Sequence, residues 1–428
     1  MAVKEEINNF TGVRGLAAVV VVLVHVNVIM FAMWPGLWQF RRFLWSGNLA
    51  VDIFFILSGF VIMYNYGDRL GRKPTFQGWK QFVLLRMARM WPVHLFAIGL
   101  YVVWYLTRAW HPGAFFPNML VVPHDQALPV LLSWWNVALN SLMLNAIWPA
   151  QSISTPAWSV SLEFFAYLTF PLTAWMALKF KSSRSAFVAA AVWIGVGALL
   201  VGLTNTAPLT DTSHRGYLYL AYELPWLRIL YTFPTGALLC IGWRQLPDRW
   251  RTGRHWDAVI VAALVAMFSI IAVTPQTTVI YMPPLAIPLS AVIILGCAGA
   301  TGPISWVLRW RPVEWSGEVS YSLYQTHFIA LMAMELLFVT PFLLASPTIV
   351  QVWCLVGFFV AVFVVAWFSH RFVEEPFRKL GRRFIFRNSP PRPTPAPAVA
   401  ETPEPAGTDT GGRHRGPAEP AERETTSV

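Results

Sequence analysis

The sequence predicts an all-α fold: a polytopic transmembrane helical bundle of about 10 membrane spans, with a disordered C-terminal tail. Three observations lead there. Of 428 residues, 56% are hydrophobic and 12% are charged, about half the charged share of an ordinary soluble domain. Mean hydropathy is +0.51, and the apolar residues fall in runs close to the length a helix needs to cross a bilayer. After about residue 388 the chain reads SPPRPTPAPAVAETPEPAGTDTGG and carries almost no large apolar side chain, so it cannot bury a core. Residues 1–387 are therefore one transmembrane domain and 388–428 a Pro/Ala/Glu-rich tail.

The spans follow in order. The first, 12–33, holds RGLAAVVVVLVH and lacks the small-residue cleavage pattern of a signal peptide, so it stays in the membrane. Spans at 47–66 and 80–104 flank a basic loop. The next apolar stretch, 128–148, contains Asn136, Asn140 and Asn145 between Pro129 and Pro149, and reads as a re-entrant or interfacial piece. Spans at 157–178, 186–204, 225–242, 257–274, 277–299, 320–342 and 349–371 complete the set. Cys240, Cys297 and Cys354 all fall inside these runs, which suits buried free thiols better than disulfides.

Ten spans put both termini on one side, and the basic residues choose it. Arg69, Arg72, Lys73 and Lys80, then Lys179, Lys181 and Arg184, then Arg244, Arg249, Arg251 and Arg254 lie on one face, with Arg309 and Arg311. Arg378, Lys379, Arg382, Arg383 and Arg387 join them, while the opposite loops hold Arg41, Arg42, Arg108, Arg215 and Arg228. By the positive-inside rule both termini are cytoplasmic, in a multi-pass protein of the cell inner (plasma) membrane. This distribution accounts for the net charge of +11 without nucleic acid.

Arg14 and His25 are eleven residues apart, so on a helix both leave the same face, about 16 Å apart along the axis. One reading is a snorkelling arginine and a histidine hydrogen-bonded inside the bundle. The other makes His25 a general base, because imidazole titrates near neutrality and takes a proton from a hydroxyl. Arg86 and Arg89, three apart at the cytoplasmic start of the third span, can meet a single anion, or can simply anchor that end. With Arg14 at the same level, three arginines suit a polyphosphorylated ligand arriving from the cytoplasm. Asp52 sits at the outward end of the second span and Glu163 early in the fourth, near the outward face. Ionisable groups there are costly and function is the default reading. Tyr321, Tyr324 and His327, with Ser320 and Ser322, form a polar ladder along the ninth span that either lines a cavity or hydrogen-bonds between helices. His370, Arg371, Glu374 and Glu375 read as a structural ion-pair cluster. No GxSxG elbow, Walker loop, dinucleotide fingerprint or HExxH is present, and the histidines are scattered, so no metal site is expected.

RGLAAVVVVLVH, VDIFFILSGFVI, RMAR, WSVSLEFFAYLTFP and SYSLYQTHF, in this order over roughly 8–380, resemble the acyltransferase 3 family of integral membrane O-acyltransferases. The resemblance implies transfer of an acyl group, most often acetyl, from cytoplasmic acyl-CoA to a hydroxyl of an extracytoplasmic carbohydrate or glycoside. Acyl-CoA, most often acetyl-CoA in such a family, is then a co-substrate rather than a bound cofactor. The same resemblance gives His25 the role of essential histidine and Arg14 that of its basic partner. Arg86 and Arg89 match the pair thought to engage CoA, Asp52 sits in the VDxFF motif, and Glu163 in the WSxSxEF motif. Asp52 or Glu163 would orient the imidazole or bind sugar hydroxyls, and Tyr321, Tyr324 and His327 would contact the acceptor. QTH replaces the Trp-His pair common at that point. The partners expected are acyl-CoA, the carbohydrate acceptor and membrane lipid; the oligomeric state is unknown from sequence. The rival readings are a transporter or flippase of a glycan or lipid-linked substrate, a membrane-bound O-acyltransferase of the other large family, and a structural or sensory membrane protein.

Overall fold

The computed structural model describes residues 7–110, 128–148, 150–205, 225–273, 284–338 and 341–386. Each of the ten apolar segments is a helix there. They are α1 (Asn9–Met33), α2 (Leu49–Arg72), α3 (Phe76–Trp110), α4 (Ala157–Ala177), α5 (Ser183–Asn205), α6 (Pro225–Arg244), α7 (His255–Val273), α8 (Ala286–Gly299), α9 (Ser320–Phe338) and α10 (Thr348–Ser369). An eleventh helix, α11 (Glu375–Phe386), follows a π-helical turn at His370–Glu374. No β-strand is present among the described residues. The expected tail, 388–428, lies outside them, as do Arg215 and the first part of the span expected at 277–299.

Seven of these helices, α1 to α5, α7 and α10, are long and apolar enough to cross a membrane. The other three differ for identifiable reasons. α8 has 14 described residues, and α9 carries the polar ladder. α6 is buried along most of its length and holds Arg228, Thr232 and Thr235 inside the bundle. A helix surrounded by protein rather than lipid has no need of a uniformly apolar surface. The lipid-facing helices show the complementary pattern. Val188, Val192, Val196, Leu199 and Leu203 of α5 are all exposed, as are Val261, Val265 and Phe268 of α7, at the three- and four-residue spacing of one helix face.

Close approach of backbones sets the centre. α2 and α6 cross with Gly59 against the carbonyl of Phe233 and Gly236 against the carbonyl of Ile56. A Cβ at either glycine would fall within about 2 Å of those oxygens, 2.0 and 1.9 Å respectively, so only glycine permits this contact, the small-residue packing usual between membrane helices. α1 is tied at its start by Asn9, whose side-chain nitrogen donates to the carbonyls of Cys297 and Ala300 at 2.9 Å each. Ser305 donates back to the Asn9 side-chain oxygen at 2.8 Å. α9 packs against α10, α1 and α3. Two apolar clusters result, one centred on α2, α4 and α6 and the other on the far halves of α1 and α3 with α9 and α10; Phe54 touches both.

The 128–148 segment forms two short helices, Leu128–Leu131 and Trp134–Ser141, rather than a span. Its asparagines explain why. The side-chain oxygen of Asn136 accepts from the Gln151 amide at 2.9 Å and that of Asn140 from the Ile153 amide at 3.0 Å. Their side-chain nitrogens donate to the Gln151 carbonyl at 3.0 and 2.8 Å. Irregular backbone at this depth is tolerated when side chains satisfy it, and these two residues do so.

The charge ladder of the last turn is as the sequence suggested: His370 Nδ1 lies 3.1 Å from Glu374, Arg371 2.7 Å and Lys379 2.5 Å from Glu375. Arg228 departs from expectation. It belongs to no loop: it lies one turn inside α6 with no exposed side-chain surface, because Asp52 draws it there.

Candidate active site

One pocket collects side chains from α1, α2, α3, α4 and α9. Its wall includes Arg14, Arg86, Arg89, Ser58, Ser159, Glu163, Tyr167, Tyr321 and Tyr324. Six of the nine residues singled out from sequence therefore share one cavity, although they come from four helices.

The arginine end is built on α3. Arg86 donates to the Tyr66 hydroxyl at 2.9 Å. Its guanidinium lies over the rings of Tyr66, Phe82 and Tyr167, at 5.1, 5.6 and 6.0 Å from their centroids. Stacking on aromatic faces holds a cation without consuming its donors, and the Arg86 Nε is buried with no hydrogen-bond partner. Arg89 reaches the same pocket, three residues on, and makes no hydrogen bond or ion pair among the described residues. Arg14 donates to Thr11 at 3.2 Å. The three guanidinium groups share the pocket wall with one carboxylate, that of Glu163.

Glu163 lies at this end as well. It accepts from Ser58 at 2.8 Å and from the Tyr167 hydroxyl. The sequence reading puts it near the outward face, to orient the imidazole or bind sugar hydroxyls; the structure sets it among Ser58, Tyr167 and Arg86 in the pocket wall. Ser159, Glu163 and Tyr167 recur every four residues along a mostly apolar helix, so their common face was legible from spacing alone.

Asp52 is elsewhere. Its carboxylate receives Arg228 Nη2 at 2.6 Å and Nε at 3.2 Å, and both side chains are wholly buried. The same arginine donates to the Asn48 carbonyl at 3.2 Å and lies 5.3 Å from the Trp158 ring. This bidentate pair joins the start of α2 to α6 and makes no contact with His25.

His25 meets His327. The rings are 5.0 Å apart between centroids, and His327 Nε2 lies 3.3 Å from His25 Nδ1. The hydrogen bonds fix the tautomers. His25 Nδ1 lies 2.8 Å from the Val21 carbonyl, and His327 Nδ1 2.7 Å from the Tyr324 carbonyl. A carbonyl only accepts, so both Nδ1 atoms carry protons. His327 Nε2 is then an acceptor for the His25 Nδ1–H, and His25 Nε2 keeps its lone pair. That nitrogen has no hydrogen bond among the described residues, and His25 is half-buried. His327, expected to touch the acceptor, is fully buried and lies against His25.

Tyr324 connects the pocket with this pair. Its hydroxyl lies 2.6 Å from Ser159 Oγ, and its ring 6.0 Å from that of His327. Tyr321 donates to the Met90 carbonyl at 2.8 Å, joining α9 to α3. Behind it Gln325 donates to the Tyr321 hydroxyl at 3.0 Å and lies 3.3 Å from His94 Nδ1. His94 in turn donates through Nε2 to the Asn140 carbonyl at 2.7 Å. Sequence reasoning passed over His94, a lone histidine in an apolar span with no pattern around it. Among the described residues no group of three His, Cys, Asp or Glu side chains is arranged to hold a metal ion.

Comparison with known proteins gives the family. Residues 7–370 match the family described as acyltransferase domain. The chain is 27% identical over 420 residues to acyltransferase MdmB of Streptomyces mycarofaciens, covering 92% of this chain and 97% of that protein. It is 22% identical to the peptidoglycan O-acetyltransferase OatA of Listeria monocytogenes, covering 90% of this chain and 60% of that one. Against the O-acetyltransferase OatA of Staphylococcus aureus it is 24% identical, covering 88% and 58%. The chain thus spans about six-tenths of each of these O-acetyltransferases. No solved structure matches it. The chain belongs to the acyltransferase family, and it is a multi-pass membrane protein.

Proposed function

We propose that this family member moves an acyl group, most simply acetyl, from acyl-CoA to a carbohydrate hydroxyl on the opposite side of the membrane. The observation that carries the reading is one pocket with Arg14, Arg86 and Arg89 in its wall, ending at Tyr324, one helical turn before His327. The length supports it: Val51 and Ile62 of α2 both line the pocket, eleven residues and about 16 Å apart, a span a pantetheine arm can cover.

The steps follow from the residues. The three arginines hold the phosphates through charge-assisted hydrogen bonds, and the arm runs along α2 and α4 to bring the thioester toward the histidine pair. The acceptor hydroxyl approaches His25 Nε2, which takes its proton as the oxygen attacks the thioester carbonyl. The imidazolium so formed keeps its Nδ1–H on the Val21 carbonyl and His327 Nε2, and returns the other proton to the departing thiolate. Asp52 holds α2 against α6 throughout. The basic loops support a cytoplasmic donor side with both termini there. The relatives named O-acetyltransferases support acetyl as the group, and the one named a peptidoglycan O-acetyltransferase supports a carbohydrate acceptor.

Purified protein with radiolabelled acetyl-CoA tests this directly, with and without peptidoglycan fragments or glycosides. Consumption of the thioester that depends on an acceptor is expected. Movement of an unmodified substrate with no thioester consumed would make the protein a transporter instead.

Arg86→Lys and Arg89→Lys test the donor end. Lysine keeps the charge and loses the planar fork. The loss of one charge-assisted hydrogen bond, about 1.5–3 kcal/mol, raises the KM for acetyl-CoA by roughly tenfold to a hundredfold and leaves kcat nearly unchanged. Unaltered KM in both variants would remove the arginines from donor binding.

A further inference from the structure

We infer that Tyr324 is a catalytic residue, donating its hydroxyl proton in a hydrogen bond to the thioester carbonyl oxygen as negative charge develops there. This rests on the acyl-transfer reading above and goes further, because it assigns the oxyanion donor of the reaction.

The proton count around Ser159 comes first. Ser159 Oγ lies 3.0 Å from the Pro156 carbonyl, which can only accept, so the serine's one proton goes there. The 2.6 Å contact with Tyr324 therefore has the tyrosine as donor and Ser159 as acceptor. A tyrosine hydroxyl thus points a proton across the end of the pocket from α9 to α4, and both residues belong to the pocket wall.

Position comes second. Tyr324 is one turn of α9 before His327, and its own carbonyl accepts from His327 Nδ1 at 2.7 Å. The backbone of the tyrosine that donates into the pocket thus accepts the bond that sets the His327 tautomer. A thioester travelling from the arginines toward His25 passes this hydroxyl. There its carbonyl oxygen can replace Ser159 Oγ as acceptor with a small rotation of one side chain. Phe54, 5.9 Å from the Tyr324 ring, supplies an apolar wall on which such a hydrogen bond is strengthened.

The electron count closes without another reagent. The acceptor oxygen forms its bond to the carbonyl carbon, and the π pair moves to the carbonyl oxygen, where Tyr324 meets it. Collapse re-forms the carbonyl and breaks the C–S bond. The proton taken by His25 goes to sulfur. Tyr324 stays neutral and returns to Ser159.

Two variants of the full-length protein in detergent or nanodiscs test the assignment, with acetyl-CoA and an acceptor that the wild type modifies. Tyr324→Phe keeps the ring and loses the donor; kcat should fall by about 10²–10³-fold, the usual effect of one oxyanion donor, while the donor KM shifts by no more than about threefold. Ser159→Ala removes the resting acceptor and part of the pocket wall but leaves the donor, so its loss in kcat is at least about tenfold smaller than that of Tyr324→Phe. Tyr324→Phe with wild-type kcat overturns the proposal. So does an equal loss in Ser159→Ala, which would make the pair a structural tie. So does a Tyr324→Phe enzyme that transfers normally and gains acceptor-independent hydrolysis, which would make it a barrier to water. A wild type that consumes no acetyl-CoA with any acceptor overturns the underlying reading, and this one with it.

Discussion

His25→Ala should abolish the proposed acyl transfer in protein that inserts and folds as the wild type does. General-base catalysis by a positioned imidazole contributes about 10²–10⁴-fold, and the substitution also removes the group against which the acceptor hydroxyl is aligned. The residual rate should therefore lie at or beyond the upper end of that range. Folding should survive because the ring is half-buried and contributes its contacts with His327 and Phe328 and a bond to the Val21 carbonyl one turn away on the same helix, while Val21 and Val26 keep α1 packed. The control is the donor end: His25→Ala should retain wild-type affinity for CoA, measured by calorimetry, since Arg14 lies about 16 Å away. His327→Ala gives a smaller loss, because that residue orients His25 without touching substrate; asparagine there, able to accept at a similar position, should restore part of the rate. Substantial transfer by His25→Ala would remove the imidazole from the chemistry, whatever its neighbours do.

The ten helical segments were legible because lipid imposes one rule on every residue that faces it, and runs of valine, leucine and phenylalanine obey it in order. The same rule fails where protein replaces lipid. Arg228 read as a loop cation because it ends a polar stretch; its burial depends on Asp52, 176 residues earlier, which no local pattern reveals. Glu163 was expected near the outward face from its depth in the fourth span. The loop before α4 is itself held inside the protein by Asn136 and Asn140, so depth counted from the helix start is not depth from water.

The arginine pair and the Arg14–His25 spacing were visible because they follow helical period on single helices. The His25–His327 contact was not, since it depends on the register of α1 against α9. Gly15 of α1 packs against Gly317 and Val313 of the short helix Arg311–Glu318 that leads into α9, and neither glycine has room for a Cβ. Ser159 lies between these cases. Its place on the face of Glu163 and Tyr167 follows from spacing, but its partner Tyr324 emerges only when α4 meets α9.

Asp52→Asn should destabilise the protein by about 3–5 kcal/mol, the cost of leaving one partner of a buried ion pair charged and uncompensated. The geometry makes this the most stability-sensitive of the site residues considered. The pair is bidentate and neither side chain reaches solvent, so Arg228 has no route by which water can replace the lost carboxylate. A lowered unfolding temperature and reduced yield of monodisperse protein in detergent are the expected readings. The decisive arm is Asp52→Leu combined with Arg228→Met, which replaces the ion pair by apolar volume, an exchange that is often neutral or stabilising. It should recover most of the lost stability. Activity then separates the two roles that the VDIFF motif leaves open. If Asp52 serves only to hold α2 on α6, the double variant transfers acyl groups at close to the wild-type rate. A double variant as stable as wild type yet without transfer would show that the carboxylate acts in the reaction, and the placement of Asp52 outside the chemistry would be wrong. The pocket argues for the first outcome: Val51, Phe54, Phe55 and Ser58 of the same helix line it and Asp52 does not, because its side chain leaves α2 on the face that meets Arg228.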